Sequence, residues 1–215
     1  LRRQRQMCIR DSGGVPAYLD KWDAAKSFKD NICRLVLTPS GALYGEADAV
    51  ISAELRELSA YSTILAAIAR GENKLNDIFH ATGFSRAKIS VYLKNLANFN
   101  IVEKVVSFET GGWENAKKGV YQIKDTFVNF WFKFVYPNMS NLYLLSPEEF
   151  YDTYIEKELD AYLERYFREV CTEYLLILNQ MGQLPFTIKR VGTWIGKTGR
   201  IDIVAQSEDR TVSYT

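Results

Sequence analysis

Between residues 59 and 125 the apolar positions keep a helical period three times over and then change to a strand pattern. Tyr61, Ile64, Leu65 and Ile68 fall at i, i+3, i+4 and i+7, with Gly71 placed to close that helix. Leu75, Ile78 and Phe79 mark a short second helix that ends at Thr82-Gly83. Ser85 then caps a third, with Ile89, Tyr92, Leu93 and Leu96 along one face. Two β-rich runs follow, Ile101–Val106 and Gly119–Lys124, around a loop of Gly, Lys and Asn. Three helices with a Gly-containing turn between the second and third predict a helix-turn-helix, and the hairpin after it predicts the wing of a winged helix over 59–125.

The flanking patterns differ. Gly13-Gly-Val-Pro-Ala-Tyr-Leu19 suits a turn feeding a helix start, and helical pieces follow at about 24–37 and 46–58, parted by Thr38-Pro-Ser-Gly41. Asp125-Thr126 caps a block of Phe127, Phe130, Trp131, Phe134 and Val135 that stops at Tyr136-Pro137-Asn138. Its spacing is that of a buried helical stripe rather than of a platform for stacked bases. A long acidic stretch over 146–175 has nine acidic and three basic residues, with Leu159, Tyr162, Leu163, Tyr166, Phe167 and Val170 as its apolar face. Strand-like runs then cover Phe186–Val191, Arg200–Gln206 and Thr211 onward. The fold class read from this order is mixed: a mostly α winged helix-turn-helix followed by a truncated α/β domain, which the family resemblance given below implies to be restriction-endonuclease-like.

Charge changes the picture at one end. The 215 residues hold 27 Lys+Arg and 26 Asp+Glu. The first twelve contribute four Arg and one Asp without any apolar period, and no signal-peptide core follows. Gln6-Met-Cys-Ile-Arg-Asp11 is also the literal translation of CAG-ATG-TGT-ATA-AGA-GAC, which resembles a transposon end used in sequencing adapters. Residues 1–12 are therefore read as an adapter artefact on a metagenomic fragment, the alternative being a basic arm. Without them the balance is 23 against 25, a charge of −2. Any nucleic-acid argument then needs a local patch.

Such a patch exists. Residues 85–124 carry seven basic and three acidic side chains. Arg86, Lys88, Ser90 and Lys94 lie off the apolar face of the third helix, and Lys117 and Lys118 sit at the wing tip. A helix so equipped fits the major groove of double-stranded DNA, its cations on phosphates and the wing in an adjacent groove. Winged helices also bind proteins, and that reading stays open. Three cysteines, Cys8, Cys33 and Cys171, show no disulfide framework or metal spacing, which points to a reducing, cytoplasmic interior. His80 has no apparent catalytic partner, and no phosphate loop of the GxxxxGK(S/T) kind occurs, so no cofactor is expected within this stretch. No apolar run reaches membrane-spanning length, so no membrane partner is expected either.

A last constellation concerns Glu169, Trp194 and Arg200-Ile-Asp-Ile-Val204. Asp202 interrupts an apolar strand, where an unpaired carboxylate is costly. Metal-dependent nucleases place an acid on such a strand, a Glu on the preceding helix and an (Asp/Glu)-x-Lys on the next strand, which together bind Mg²⁺ and activate water. Glu169 and Asp202 fit the first two roles as catalytic candidates, with Asp202 as the metal ligand. An edge-strand aspartate paired with Arg200 or Lys189 is the alternative.

Taken together, Gly13–Leu19, Tyr61-Ser-Thr-Ile-Leu-Ala-Ala-Ile-Ala-Arg-Gly71, Tyr92-Leu-Lys-Asn-Leu96, Tyr121-Gln-Ile-Lys-Asp-Thr-Phe127, Phe130-Trp-Phe-Lys-Phe-Val135, Val191-Gly-Thr-Trp194 and Ile201-Asp-Ile-Val-Ala205 occur in a recognisable order. In that order the chain resembles archaeal and bacterial AAA+-type (STAND-like) ATPases that end in a winged helix and a domain of unknown function similar to PD-(D/E)xK nucleases. The resemblance implies that 13–58 is a helical lid remnant, 59–125 the winged helix, and 126–215 a helical linker plus a truncated nuclease-like domain. It implies ATP and Mg²⁺ for a full-length parent, with Walker motifs upstream and a Glu-Cys-Lys-like strand after Thr215. This stretch alone would then bind no nucleotide and cut nothing. Arg200 stands where members often carry an acid, and Ile195 where a second Trp is common, which weakens one candidate ligand. A non-catalytic interaction module or a stand-alone transcription regulator remains the competing expectation.

Overall fold

The computed structural model describes residues 18, 20–52, 57–110, 119–196, 199–207 and 212–214. They form a mixed α/β chain of two compact units. The first comprises 1–103 and 121–158, the second 104–120 and 159–215. No helix among the described residues is long and apolar enough to cross a membrane.

In the first unit, α1 (Phe28–Ile32) begins at a reciprocal cap: Ser27 Oγ accepts from the Asp30 N–H at 3.1 Å, and the Asp30 carboxylate accepts from the Ser27 N–H at 3.2 Å. It continues as a π-helical turn over Cys33–Leu37. After α2 (Glu46–Ser52) come α3 (Leu58–Ala69), α4 (Leu75–Thr82) and α5 (Arg86–Asn98). Two short strands, β1 (Val102–Val105) and β2 (Val120–Ile123), pair as a two-stranded sheet. The chain passes into the second unit and back again along this hairpin.

Beyond it, α6 (Thr126–Phe130) starts at Asp125, whose carboxylate accepts from the Val128 N–H at 2.9 Å. A π-helical turn over Trp131–Val135 and a 3₁₀ turn over Tyr136–Asn138 extend it, and α7 (Met139–Leu142) follows without a break in the coil. The tight Pro137 turn expected to end the helix narrows it to 3₁₀ geometry instead. Phe127, Phe130, Trp131, Phe132, Phe134 and Val135 are all buried, and the segment packs against α3. The aromatic block is therefore core, and it belongs with the three helices before it. α8 (Pro147–Tyr154) carries a second capping box between Ser146 and Glu149. The acidic stretch is thus two helices parted at the buried Ile155, not one.

In the second unit, α9 (Glu156–Gln180, from 159 onward) precedes an antiparallel meander of β3 (Ile188–Ile195), β4 (Arg200–Ser207) and β5 (Val212–Tyr214). Gly192 pairs with Val204 and Trp194 with Ile201, with a register shift between them. β3 carries the segment 107–110 of the hairpin. Phe108 lies over Gly192, where an added Cβ would come within 3.1 Å of its ring, and the Arg190 guanidinium stacks 3.8 Å from the ring centre. Arg190 also donates to the Phe108 carbonyl, Trp194 Nε1 donates to Glu109 Oε1 at 2.7 Å, and the Ile195 N–H donates to Ser107 Oγ at 3.1 Å. These contacts place the hairpin's far part with the C-terminal sheet.

Candidate nucleic-acid interface

The turn between α4 and α5 is built by local chemistry. Gly83 takes φ +70°, a left-handed conformation that closes α4, and its N–H donates to the Phe79 carbonyl at 3.0 Å. Ser85 then caps α5 by accepting from the Lys88 N–H at 3.2 Å. Ile89, Tyr92, Leu93 and Leu96 are buried, which turns Ala87, Ser90, Val91 and Lys94 outward, all exposed.

The candidate contact residues on α5 are in unlike states. Arg86 is exposed, but its guanidinium lies 4.1 Å from the Phe79 ring centre and donates to Asn76 Oδ1 through Nε (3.1 Å) and Nη2 (2.5 Å). Lys88 is half-buried, its ammonium 4.5 Å from the Phe84 ring centre and 4.0 Å from Glu57 Oε2. Ser90 Oγ donates back to the Arg86 carbonyl at 2.8 Å. Lys94 has no ion pair or hydrogen bond among the described residues. Val91, at the centre of this face, is 57% exposed. Lys117 and Lys118 lie outside the described residues.

Glu57, which the sequence reading passed over, borders this surface. Tyr92 donates its hydroxyl to the Glu57 carboxylate, and that bond, with burial second, pushes the phenol up to about 12. The same carboxylate thus joins Tyr92 and Lys88 at the edge of α5. Asn76 and Glu57 carry no sequence signal of their own, because only the packing of α3, α4 and α5 brings them to α5.

The second constellation surrounds Asp202 on β4. Asp202 Oδ1 lies 3.0 Å from Arg200 Nε and 3.1 Å from Arg168 Nη1, and Oδ2 accepts from Arg168 Nη1 at 3.2 Å. The Oδ1 contacts are ionic rather than well-aligned hydrogen bonds, so this solvent-shielded oxygen has no well-directed donor. Of the two partners considered for Asp202, Arg200 is in place, and Arg168 of α9 joins it. Glu169, the next residue on α9, is exposed. Burial lowers the Arg200 guanidinium, and the neighbouring charges of Arg168 and Arg165 push the same way against the pull of Asp202.

One carboxylate facing two guanidiniums is a poor seat for Mg²⁺, which wants carboxylates without competing cations. Among the described residues no group of three or more His, Cys, Asp or Glu is arranged to hold a metal. The helical spacing of Arg165 and Arg168 was readable in advance; their register against β4 was not.

Residues 131–214 match the DUF234 family, described as archaeal and bacterial proteins of unknown function. Asp202, Arg168 and Glu169 lie inside that span, whereas α5 precedes it. The chain is also 32% identical over 197 residues to an uncharacterized protein of Methanocaldococcus jannaschii, a match covering 91% of this chain and 43% of that protein. A match of that length necessarily takes in α5 as well as β3. The chain spans less than half the length of this relative. No solved structure matches.

Proposed function

We propose that α3–α5 and the β1–β2 hairpin form a winged helix whose α5 reads duplex DNA, within a longer ATP-dependent protein. The observation that carries this reading is the outward face of α5. Ala87, Ser90 and Val91 are small enough for close approach to base edges, where Ala and Val suit thymine methyl groups. The ammonium of Lys94, unpartnered among the described residues, and the exposed, aromatic-braced guanidinium of Arg86 supply phosphate contacts beside them. The ATP-dependent parent, of AAA+ type with its Mg²⁺, is supported by the order of motifs and by the relative's length, more than half of which lies outside the match. The C-terminal unit, nuclease-like in its order of helix and strands, acts in this reading as a non-cleaving partner to the winged helix, since Asp202 is neutralised by arginines.

Fluorescence anisotropy with a labelled duplex tests the proposal. The triple variant Arg86→Ala, Lys88→Ala, Lys94→Ala is expected to lose duplex binding, with Lys94→Ala alone taking a clear share. Wild-type affinity should fall steeply with salt, in proportion to the phosphates contacted. Unchanged affinity in the triple variant would overturn the DNA reading. The exposed Val91 favours a second reading, a protein-binding face, for which Val91→Glu would abolish partner capture while salt had little effect.

A further inference from the structure

From Tyr162 onward α9 has two faces. One serves its own unit: Tyr162 and Tyr166 are buried, Arg168 reaches Asp202, and Asn179 brackets Ile188 by accepting from its N–H at 2.7 Å and donating to its carbonyl at 3.2 Å. The other carries Leu163, Phe167, Val170, Tyr174 and Ile177, and Met181 continues it one residue past the helix end, its N–H donating to the Ile177 carbonyl at 3.0 Å. Their spacing alternates four and three residues throughout, the 3.5-residue period of a helix that packs lengthwise on another helix. Phe167 is 65%, Tyr174 59%, Ile177 51% and Met181 62% exposed, while Leu163 and Val170 are half-buried between them. A stripe of this regularity is no scatter of surface hydrophobes.

We propose that this face pairs with the same face of a second copy of the chain, the two α9 helices running antiparallel about a two-fold axis level with Thr172. Centring there matches all six residues without remainder: Leu163 against Met181, Phe167 against Ile177 and Val170 against Tyr174, each pair occurring twice by symmetry. A parallel pair would set every residue against its own copy, Phe on Phe and Tyr on Tyr. The antiparallel pair sets large against smaller side chains, which is how facing layers interdigitate. The stripe runs about 27 Å along the helix. It offers roughly 500 Å² of apolar surface per chain, so the pair covers about 1,000 Å², the lower bound for a specific interface. Cys171 and Glu173 flank the stripe nearest the axis, each facing its own copy at the solvated edge.

Sedimentation velocity of the whole chain in reducing buffer is the first test, and a dimer is expected. Tyr174→Glu and Ile177→Lys, both at exposed positions, should each give a folded monomer by circular dichroism. Leu144→Glu, at a residue 79% exposed and off the stripe, should leave the dimer intact. A short bis-maleimide applied to the Cys8→Ser chain should join two chains through Cys171, because Cys33 is buried and its thiol is pushed up to about 11. In a chain with Cys8→Ser, Cys171→Ser, Leu163→Cys and Met181→Cys, the linked peptides should join position 163 of one copy to 181 of the other. A monomeric wild type, a dimer that survives both stripe variants, or linkage of 163 to 163 would overturn the proposal.

Discussion

Asp125 shows how one side chain both starts a helix and carries a cost. Its carboxylate caps α6, yet burial raises it above the ordinary 3.8, and the nearby charge of Glu46 pushes the same way. A carboxyl raised in the folded state binds its proton more tightly there than in the unfolded chain. The penalty is absent below the ordinary carboxylate range and complete once pH has risen past the folded-state value. Asp125→Asn keeps a capping oxygen and sheds the charge. Its stability relative to wild type, measured by urea unfolding, should therefore improve as pH rises from acid to neutral. Asp125→Ala should lose about 1 kcal/mol through the missing cap. A wild type and Asp125→Asn pair with parallel pH profiles would refute this assignment. Asp202 makes the complementary point. The sequence marks it as a carboxylate needing company, but its partner Arg168 stands 34 residues away, so only the folded register of helix on strand identifies it.

At the scale of elements, α3, α4 and α5 were readable from local signals: apolar positions at i, i+3 and i+4 in all three, a serine cap on α5, and glycines of positive φ closing α3 and α4. The strands were readable in place but not in extent. β3 continues through Gly192, Thr193 and Trp194, where a glycine inside a strand argues for a break. The structure supplies the reason, since Phe108 lies on that glycine from a segment 84 positions earlier in the chain. Gly192→Val should push against the Phe108 ring and cost about 1–3 kcal/mol by overpacking, read from chemical denaturation. The split of the acidic stretch at Ile155 was invisible for a similar reason: Ser146 and Pro147 announce a helix start, but nothing local announces the end of α8. In the aromatic helix, Phe130→Ala should cost about 3–5 kcal/mol, because the side chain is buried beside the Phe134 ring, in a segment that packs against α3, rather than offered to a ligand. A near-neutral result would reopen the stacking-platform reading.

For the whole molecule, the division into units makes the C-terminal part discontinuous: it takes in 104–120 as well as 159–215. A chain started at residue 126 would lack the segment that covers β3, and it should aggregate or bind hydrophobic dyes, whereas the intact chain stays dispersed. Incubated with duplex DNA and Mg²⁺, the whole chain is expected to leave the DNA uncut. Cleavage that disappears in Asp202→Ala would show that the arginines around that carboxylate do not silence it. The same discontinuity has a consequence in time. Phe108 leaves the ribosome 82 residues before Arg190, its partner on β3. At roughly 5–20 residues per second of synthesis, Phe108 waits for several seconds, up to about 16, before the strand that shelters it exists. During every round of translation, then, the most exposed moment of this protein falls in its middle, and the speed of the ribosome over 109–190 sets how long it lasts.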